Sequence, residues 1–215
     1  MSDNASHITA GVTARALLDA GAFLIRPNEP FRLTSGLLAP IYVNCRLILG
    51  HVRARADIAD ALAADVAIRG GDIVAGGVTA GVPFATMVAD RLGLPLTYVR
   101  PQPKSHGTGG QIEGAEVAGG KVVLVEDLIT SAKSIVLFTN ALRAAGATVD
   151  HASVVFARMT AAAQPALDQL DLSLNVLCDM ETLLEMAQEN GVASAAAIAE
   201  VRAYLDDAEG WSASR

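Results

Sequence analysis

Lys121-Val-Val-Leu-Val-Glu126-Asp127-Leu-Ile-Thr130-Ser131-Ala132-Lys133-Ser134 is the stretch on which the fold turns. The uninterrupted aliphatic run Val122 to Val125 reads as a strand buried on both faces, because a strand with one wet face alternates polar and apolar positions. A turn follows over Leu128 to Lys133. Apolar residues then recur at helical spacing over Ile135 to Ala145 until Gly146 stops them. The same rhythm of strand, turn and helix recurs on both sides. Upstream lie a strand at Ile73 to Ala75, a Gly-containing turn, a helix over Pro83 to Leu92 and a strand at Leu96 to Val99. Downstream come strands at Thr148 to Ala157 and Ser173 to Leu177. Such alternation implies right-handed crossovers, hence an α/β fold with a doubly wound, mostly parallel sheet flanked by helices.

Around this centre the chain adds smaller pieces. Ile8, Val12, Ala16, Leu17 and Ala20 have the helical period and Gly21 ends it. Phe31 to Arg46 alternates about Ser35-Gly36 and Ala39-Pro40, as expected of a hairpin of short strands forming a small N-terminal hood. His51 to Ile68 is a second helix, closed by Gly70-Gly71. Pro101 to Gly120, with two prolines, six glycines and no apolar period, reads as a mobile loop or loose hairpin. Helices over Thr182 to Glu189 and Ser194 to Asp206 are expected to cap the sheet, and the tail around Trp211 to fray. The expectation is one domain over 1–215, with the helix and hood in 1–50 and the mobile loop in 100–120.

Composition narrows the function. The 215 residues are 52% hydrophobic and only 4% aromatic, so the interior is built from Ala, Val, Leu and Ile, and disorder is excluded for most of the chain. A formal net charge of −7 leaves no broad basic face for nucleic acid. Cys45 and Cys178 are far apart and lack metal-ligand spacing, which argues for a reducing compartment and against a zinc site. Met1 to His7 lack a basic start and an apolar core, and the longest apolar runs are broken by Asp60, Asp65 or Glu126. The expected setting is cytoplasmic, with no membrane partner.

In an open parallel sheet, ligands bind beyond the carboxyl ends of the strands. Two loops there carry chemistry. Gly76-Gly77-Val78-Thr79-Ala80-Gly81-Val82-Pro83 has glycines that permit positive φ and close backbone approach, so its amides can form an anion-binding concavity; the plain alternative is an ordinary turn. In the second loop, Glu126 and Asp127 cannot both point into the core, since an unpaired buried carboxylate costs several kcal/mol or more. They are expected to face a ligand or water. Thr130, Ser131 and Ser134 then offer hydroxyls and amides at a helix start, which suits a phosphate. Helix capping alone would use the Thr and Ser but leaves the two acids unexplained.

This loop resembles the phosphoribosyl-pyrophosphate fingerprint of type I phosphoribosyltransferases. Phe31-Arg-Leu-Thr34-Ser35-Gly36-Leu-Leu-Ala-Pro40-Ile-Tyr42-Val-Asn44-Cys-Arg46 is similar to the base-side hairpin of the orotate phosphoribosyltransferases. Tyr98-Val-Arg100 through Lys104-Ser-His106-Gly107, then Gly110-Gln-Ile-Glu-Gly114, is similar to their mobile catalytic loop. The resemblance, spread over Phe23 to Arg158, implies transfer of a phosphoribosyl group from phosphoribosyl pyrophosphate to orotate in pyrimidine nucleotide synthesis. It implies Mg²⁺ held mainly through substrate oxygens, with no dedicated protein cage, and a homodimer with shared sites.

By the same resemblance, Glu126 and Asp127 meet the ribose hydroxyls. Thr130, Ser131, Ala132, Lys133 and Ser134 hold the 5′-phosphate, and Thr79, Ala80 and Gly81 the pyrophosphate. Arg100, Lys104 and His106 lie on the catalytic loop and, with Asp127, make the catalytic set. Tyr42, Thr34, Thr130 and Arg158 take orotate. The chain departs from the family pattern at Thr34, Ala80 and Pro101-Gln102, where lysines are common, and at Ser131-Ala132-Lys133, where Gly is common. A transferase for another base, and a nucleotide-binding regulator without turnover, are the alternatives these departures leave open.

Overall fold

The computed structural model describes residues 2–215 apart from Thr34, residues 104–109 and Ala162, with side chains described from Thr9 onward. In chain order the elements are α1 (Ser2–Asp19), β1 (Phe23–Ile25), β2 (Phe31–Arg32), β3 (Leu38–Ala39), β4 (Ile41–Val43), a 3-10 helix (Cys45–Gly50), α2 (Val52–Arg69), β5 (Ile73–Gly77), α3 (Gly81–Leu92), β6 (Leu96–Val99), β7 (Ile112–Gly114), β8 (Lys121–Ile129), α4 (Lys133–Ala144), β9 (Thr148–Ala157), α5 (Ala163–Leu170), β10 (Ser173–Asp179), α6 (Met180–Glu189), α7 (Ala195–Asp206) and α8 (Ala208–Ala213).

Six strands form the main sheet in the order β10-β9-β8-β5-β6-β7, parallel except for β7, which runs antiparallel to β6. The alternation of side chains along β8 divides the interior in two. Val123 and Val125 join a core with Leu17 of α1, Ile58 and Leu62 of α2, Phe84 of α3 and Leu183 of α6. Val122 and Leu124 join a second core with Ile135 and Leu142 of α4 and Leu167 of α5. The aliphatic run at the centre of the sequence is therefore buried on both faces, as its composition requires.

The N-terminal hood differs from the expected single hairpin. Phe31–Arg32 pairs with Leu38–Ala39, but β4 pairs antiparallel with β1, with Leu24 opposite Tyr42. Three residues at Phe23–Ile25 were too few to register as a strand from pattern alone. The loop expected over Pro101 to Gly120 is also shorter than its composition suggests, because Thr97, Tyr98 and Val99 pair with Gly114, Glu113 and Ile112. Gly114 sits at φ +112, where a β-carbon would meet the Leu96 carbonyl, so glycine is needed for that approach.

The tail does not fray. Trp211 is 6% exposed, its ring meets Tyr204 edge-on at 5.6 Å, and its Nε1 donates to Glu200 at 3.0 Å. Ser212 accepts from the Leu38 amide at 2.9 Å and so ties α8 to the hood. A short polar segment looked terminal because its one large apolar residue carries no period. Beneath α2, Asp65 accepts from Ser153 and meets His151 Nε2 at 2.9 Å, a buried polar cluster between helix and β9. Burial opposes ionisation of Asp65, but the hydrogen bonds from His151 and Ser153 outweigh it and hold the carboxyl below the usual range.

Candidate functional site

The strand order reverses at β5. The chain goes from β5 to β6 on one side, then crosses back to lay β8 on the other. A crevice therefore opens between the carboxyl ends of β5 and β8, where neither connecting loop covers the other. The hood closes it from above. The resulting cleft holds about 370 Å³ and is lined by Thr79 and Ala80 after β5, Glu126, Asp127, Thr130 and Ser134 at β8 and α4, Tyr42 to Arg46 from the hood, and Arg158 after β9.

Eight residues expected at a site thus meet in one place: Tyr42, Thr79, Ala80, Glu126, Asp127, Thr130, Ser134 and Arg158. Gly81, Ser131, Ala132 and Lys133 stand at the adjoining loop and helix starts without lining the cleft itself. Ala132 takes φ +60, a left-handed conformation that costs a non-glycine residue roughly 1–2 kcal/mol, so the loop keeps a glycine-type turn without a glycine. Arg100 lies at the end of β6, pairs with Glu113 at 3.5 Å and does not line the cleft. Thr34, Lys104 and His106 lie outside the described residues.

The glycines after Ile73 meet one half of the expectation, close backbone approach, and not the other, positive φ. Gly76 and Gly77 belong to β5, and neither they nor Gly81 has positive φ. Their use is close approach. A β-carbon on Gly77 would overlap the Glu126 carboxyl and the Phe138 ring, and one on Gly81 would overlap the same carboxyl. The Val78–Thr79 peptide is cis.

The two acids both line the cleft, as expected, but they differ in burial. Glu126 is 6% exposed, its carboxyl pressed against the bare backbone of Gly77 and Gly81, and its Oε1 is buried with no hydrogen-bond partner among the described residues. Burial, with Asp127 beside it, pushes its carboxyl well above the usual range, while a bond from the Gly77 backbone only partly offsets this. Glycine removes the steric cost that made a buried acid look forbidden, and a retained proton removes much of the electrostatic one. Asp127 is half-buried. Burial raises its carboxyl too, opposed by the Arg46 guanidinium and by bonds from the backbone of Asp127 and Leu128.

Arg158 is held from both ends. Its amide donates to the Ile129 carbonyl at 2.9 Å and its guanidinium to the Tyr204 hydroxyl at 3.3 Å, which sets it at the cleft wall. Tyr42 is 47% exposed and stacks obliquely on Phe31 at 5.8 Å, leaving the rest of the ring free to cover a flat group. Sequence reasoning gave no role to Asn44, Cys45 and Arg46, which also line the cleft. They end the hood motif, and the polar Asn44 and Arg46 directly after the apolar run Leu37 to Val43 were the available signal. The Cys45 thiol is buried and pushed up by that burial and by Asp127, which keeps it protonated and unreactive.

Chemically, the cleft offers hydroxyl acceptors in Asp127 and Glu126, hydroxyls and amides in Thr79, Thr130 and Ser134, two guanidiniums and one exposed aromatic face. That set suits an anionic sugar phosphate beside a planar anion. The sequence profile of the Phosphoribosyl transferase domain matches residues 49–175. The chain is 40% identical over 211 residues to an orotate phosphoribosyltransferase of Cereibacter sphaeroides strain KD131, covering 96% of this chain and 91% of that one. Among solved structures, it is similar to orotate phosphoribosyltransferase from Aeropyrum pernix, with 32% identity, TM-score 0.70, and coverage of 84% of this chain and 99% of that chain. It is also similar to Leishmania donovani UMP synthase, with 26% identity and TM-score 0.77; the match covers 92% of this chain but 42% of that longer one.

Proposed function

The chain belongs to the orotate phosphoribosyltransferase family, and from that premise we propose how its cleft carries out phosphoribosyl transfer from phosphoribosyl pyrophosphate to orotate. In this reaction the bond from the ribose anomeric carbon to pyrophosphate breaks, a bond from that carbon to a ring nitrogen of orotate forms, and the proton that nitrogen carried is given up to solvent or to the departing pyrophosphate. The electron pair leaves with pyrophosphate, and the sugar carbon passes through an oxocarbenium-like state. No protein nucleophile is required, so the work is positioning and charge neutralisation.

Asp127 accepts from the ribose hydroxyls. Glu126, whose carboxyl burial pushes towards the protonated form, adds a second polar group beside the same sugar. Thr130 to Ser134 receive the 5′-phosphate at the start of α4, and the Thr79 to Gly81 turn faces the departing pyrophosphate. Tyr42 covers the pyrimidine and Arg158 grips its carboxylate, a group that a planar guanidinium matches bidentately. Among the described residues no three His, Cys, Asp or Glu side chains gather as metal ligands. As the family resemblance implies, Mg²⁺ would be held mainly through substrate oxygens with water, and it would supply charge that offsets the leaving group's. Arg100, Lys104 and His106 supply cations from the loop between β6 and β7, and in a homodimer that loop serves the neighbouring site. No helix among the described residues is long and apolar enough to cross a membrane. The chain is read as acting in the cytoplasm, as one domain over 1–215.

The observation that carries this reading is the convergence of the β5 loop, the β8 loop and the hood on a single cleft whose lining joins Asp127 and Thr130 to Tyr42 and Arg158. The test is turnover by the purified protein with Mg²⁺, phosphoribosyl pyrophosphate and a panel of orotate, uracil, hypoxanthine and adenine. Orotate is expected to be consumed with release of pyrophosphate. A purine preferred over orotate, or binding of the donor without product, would overturn the assignment.

A further inference from the structure

Arg46 is the second residue of the 3-10 helix Cys45–Gly50, which packs against β8. Its backbone is anchored on both sides. The Asn44 amide donates to the Ala22 carbonyl at 2.8 Å, Cys45 is 1% exposed, and the His51 amide closes the helix on the Ile48 carbonyl at 2.9 Å. The Arg46 side chain, by contrast, is exposed at the cleft, and among the described residues no hydrogen bond ties down its guanidinium. Arg158, the other cation lining the described cleft, spends one donor on Tyr204.

We propose that Arg46 is a positioning residue of the transfer, its guanidinium facing Asp127 across the cleft and holding that carboxylate in place for the ribose hydroxyls. The proposal rests on the ribose role given to Asp127 above. The groups around Asp127 make the case. Glu126 stands next to it in the strand, and Cys45 reaches it from the hood; neither supplies positive charge, and both are buried. The amides of Asp127 and Leu128 turn the carboxylate back toward its own backbone. Arg46 lines the same cleft and is the cation whose charge opposes the desolvation that raises this half-buried carboxyl. A rigidly anchored helix turn carrying an unattached guanidinium fits this task, since it fixes where the charge sits without consuming its donors.

The test is calorimetric binding of phosphoribosyl pyrophosphate with Mg²⁺ between pH 5.5 and 8, for the wild type, Arg46→Met, Arg46→Gln, Arg46→Lys, Asp127→Asn and the Arg46→Met/Asp127→Asn double variant. Thermal unfolding of each variant is followed in parallel, and Arg46→Gln stands in should Arg46→Met fold poorly. Arg46→Met is expected to weaken binding about tenfold and to move the acid limb of the binding profile upward by roughly one pH unit. Arg46→Lys recovers most of both effects. In the Asp127→Asn background the Arg46 substitution adds less than about twofold, the signature of two residues acting as a pair. An unchanged acid limb in Arg46→Met, or a full tenfold loss persisting beside Asp127→Asn, would overturn the proposal while leaving the function standing. Failure of the wild type to bind the donor at any pH would overturn both.

Discussion

Replacing Glu126 by Gln should make the protein more stable at neutral pH, even though the residue lies in the cleft. The residue is 6% exposed, its carboxyl has a buried oxygen without a partner among the described residues, and its pKa is raised well above the usual range because burial and Asp127 disfavour the charge. A carboxyl raised in the folded state binds more protons folded than unfolded. Stability is therefore lost as pH rises from the unfolded value, about 4.3, towards the folded one, and the loss persists above it. The steepest slope one such group can impose is about 1.4 kcal/mol per pH unit. Gln has nearly the same shape and no charge to desolvate, so its stability lacks this slope. For a chain of this size 1 kcal/mol corresponds to roughly 2–4 °C in melting temperature. Thermal unfolding of both proteins at half-unit steps from pH 5 to pH 8 should show Glu126→Gln gaining a few degrees per pH unit on the wild type over the lower part of that range. Parallel curves, with a constant gap at all pH values, would refute the assignment of a buried, protonation-linked Glu126. The same chemistry predicts that Glu126→Gln retains more kcat/KM than Asp127→Asn, because a protonated carboxyl and an amide each present one acceptor and one donor edge to the sugar.

Gly77→Ala should destabilise the protein by about 1–3 kcal/mol, as overpacking does, since the new methyl meets Phe138 and the Glu126 carboxyl together; chemical denaturation measures it, and activity should fall with it as the carboxyl is displaced. Asp65→Ala should cost about 3 kcal/mol by stranding His151 and Ser153 in the interior. Because the Asp65 carboxyl lies below its usual range, its stabilisation is present above about pH 4, the unfolded value, and fades as pH falls through the folded value, so the gap between wild type and variant should close in strong acid. Lys104→Ala and Asp127→Asn should each abolish most turnover. If sites are shared across a dimer, mixing the two after dissociation should restore about one quarter of wild-type activity, since half of the randomly formed dimers carry one intact site; no recovery in a mixture shown to exchange subunits would refute the shared site.

Particular residues mark the boundary between what was legible in the chain and what was not. Val122 to Val125 announced a strand buried on both faces, and the alternation of strands with glycine-stopped helices announced the parallel sheet, because periodicity and chain-breaking are local properties that survive without neighbours. The acids and hydroxyls from Glu126 to Ser134 marked where chemistry would gather, for the same reason: a strand end followed by a helix start points its loop at the ligand crevice whatever surrounds it; Tyr42 was marked only by the resemblance of the hood motif. Tertiary structure alone separated the two acids, since Glu126 is buried by glycines 49 and 45 positions earlier in the chain. It also brought Arg46 and Asp127 to one cleft, paired β4 with β1, and turned the polar tail around Trp211 into a packed strut. Each of these depends on desolvation or pairing between segments distant in sequence, and such energies exist only once the chain has brought the partners together.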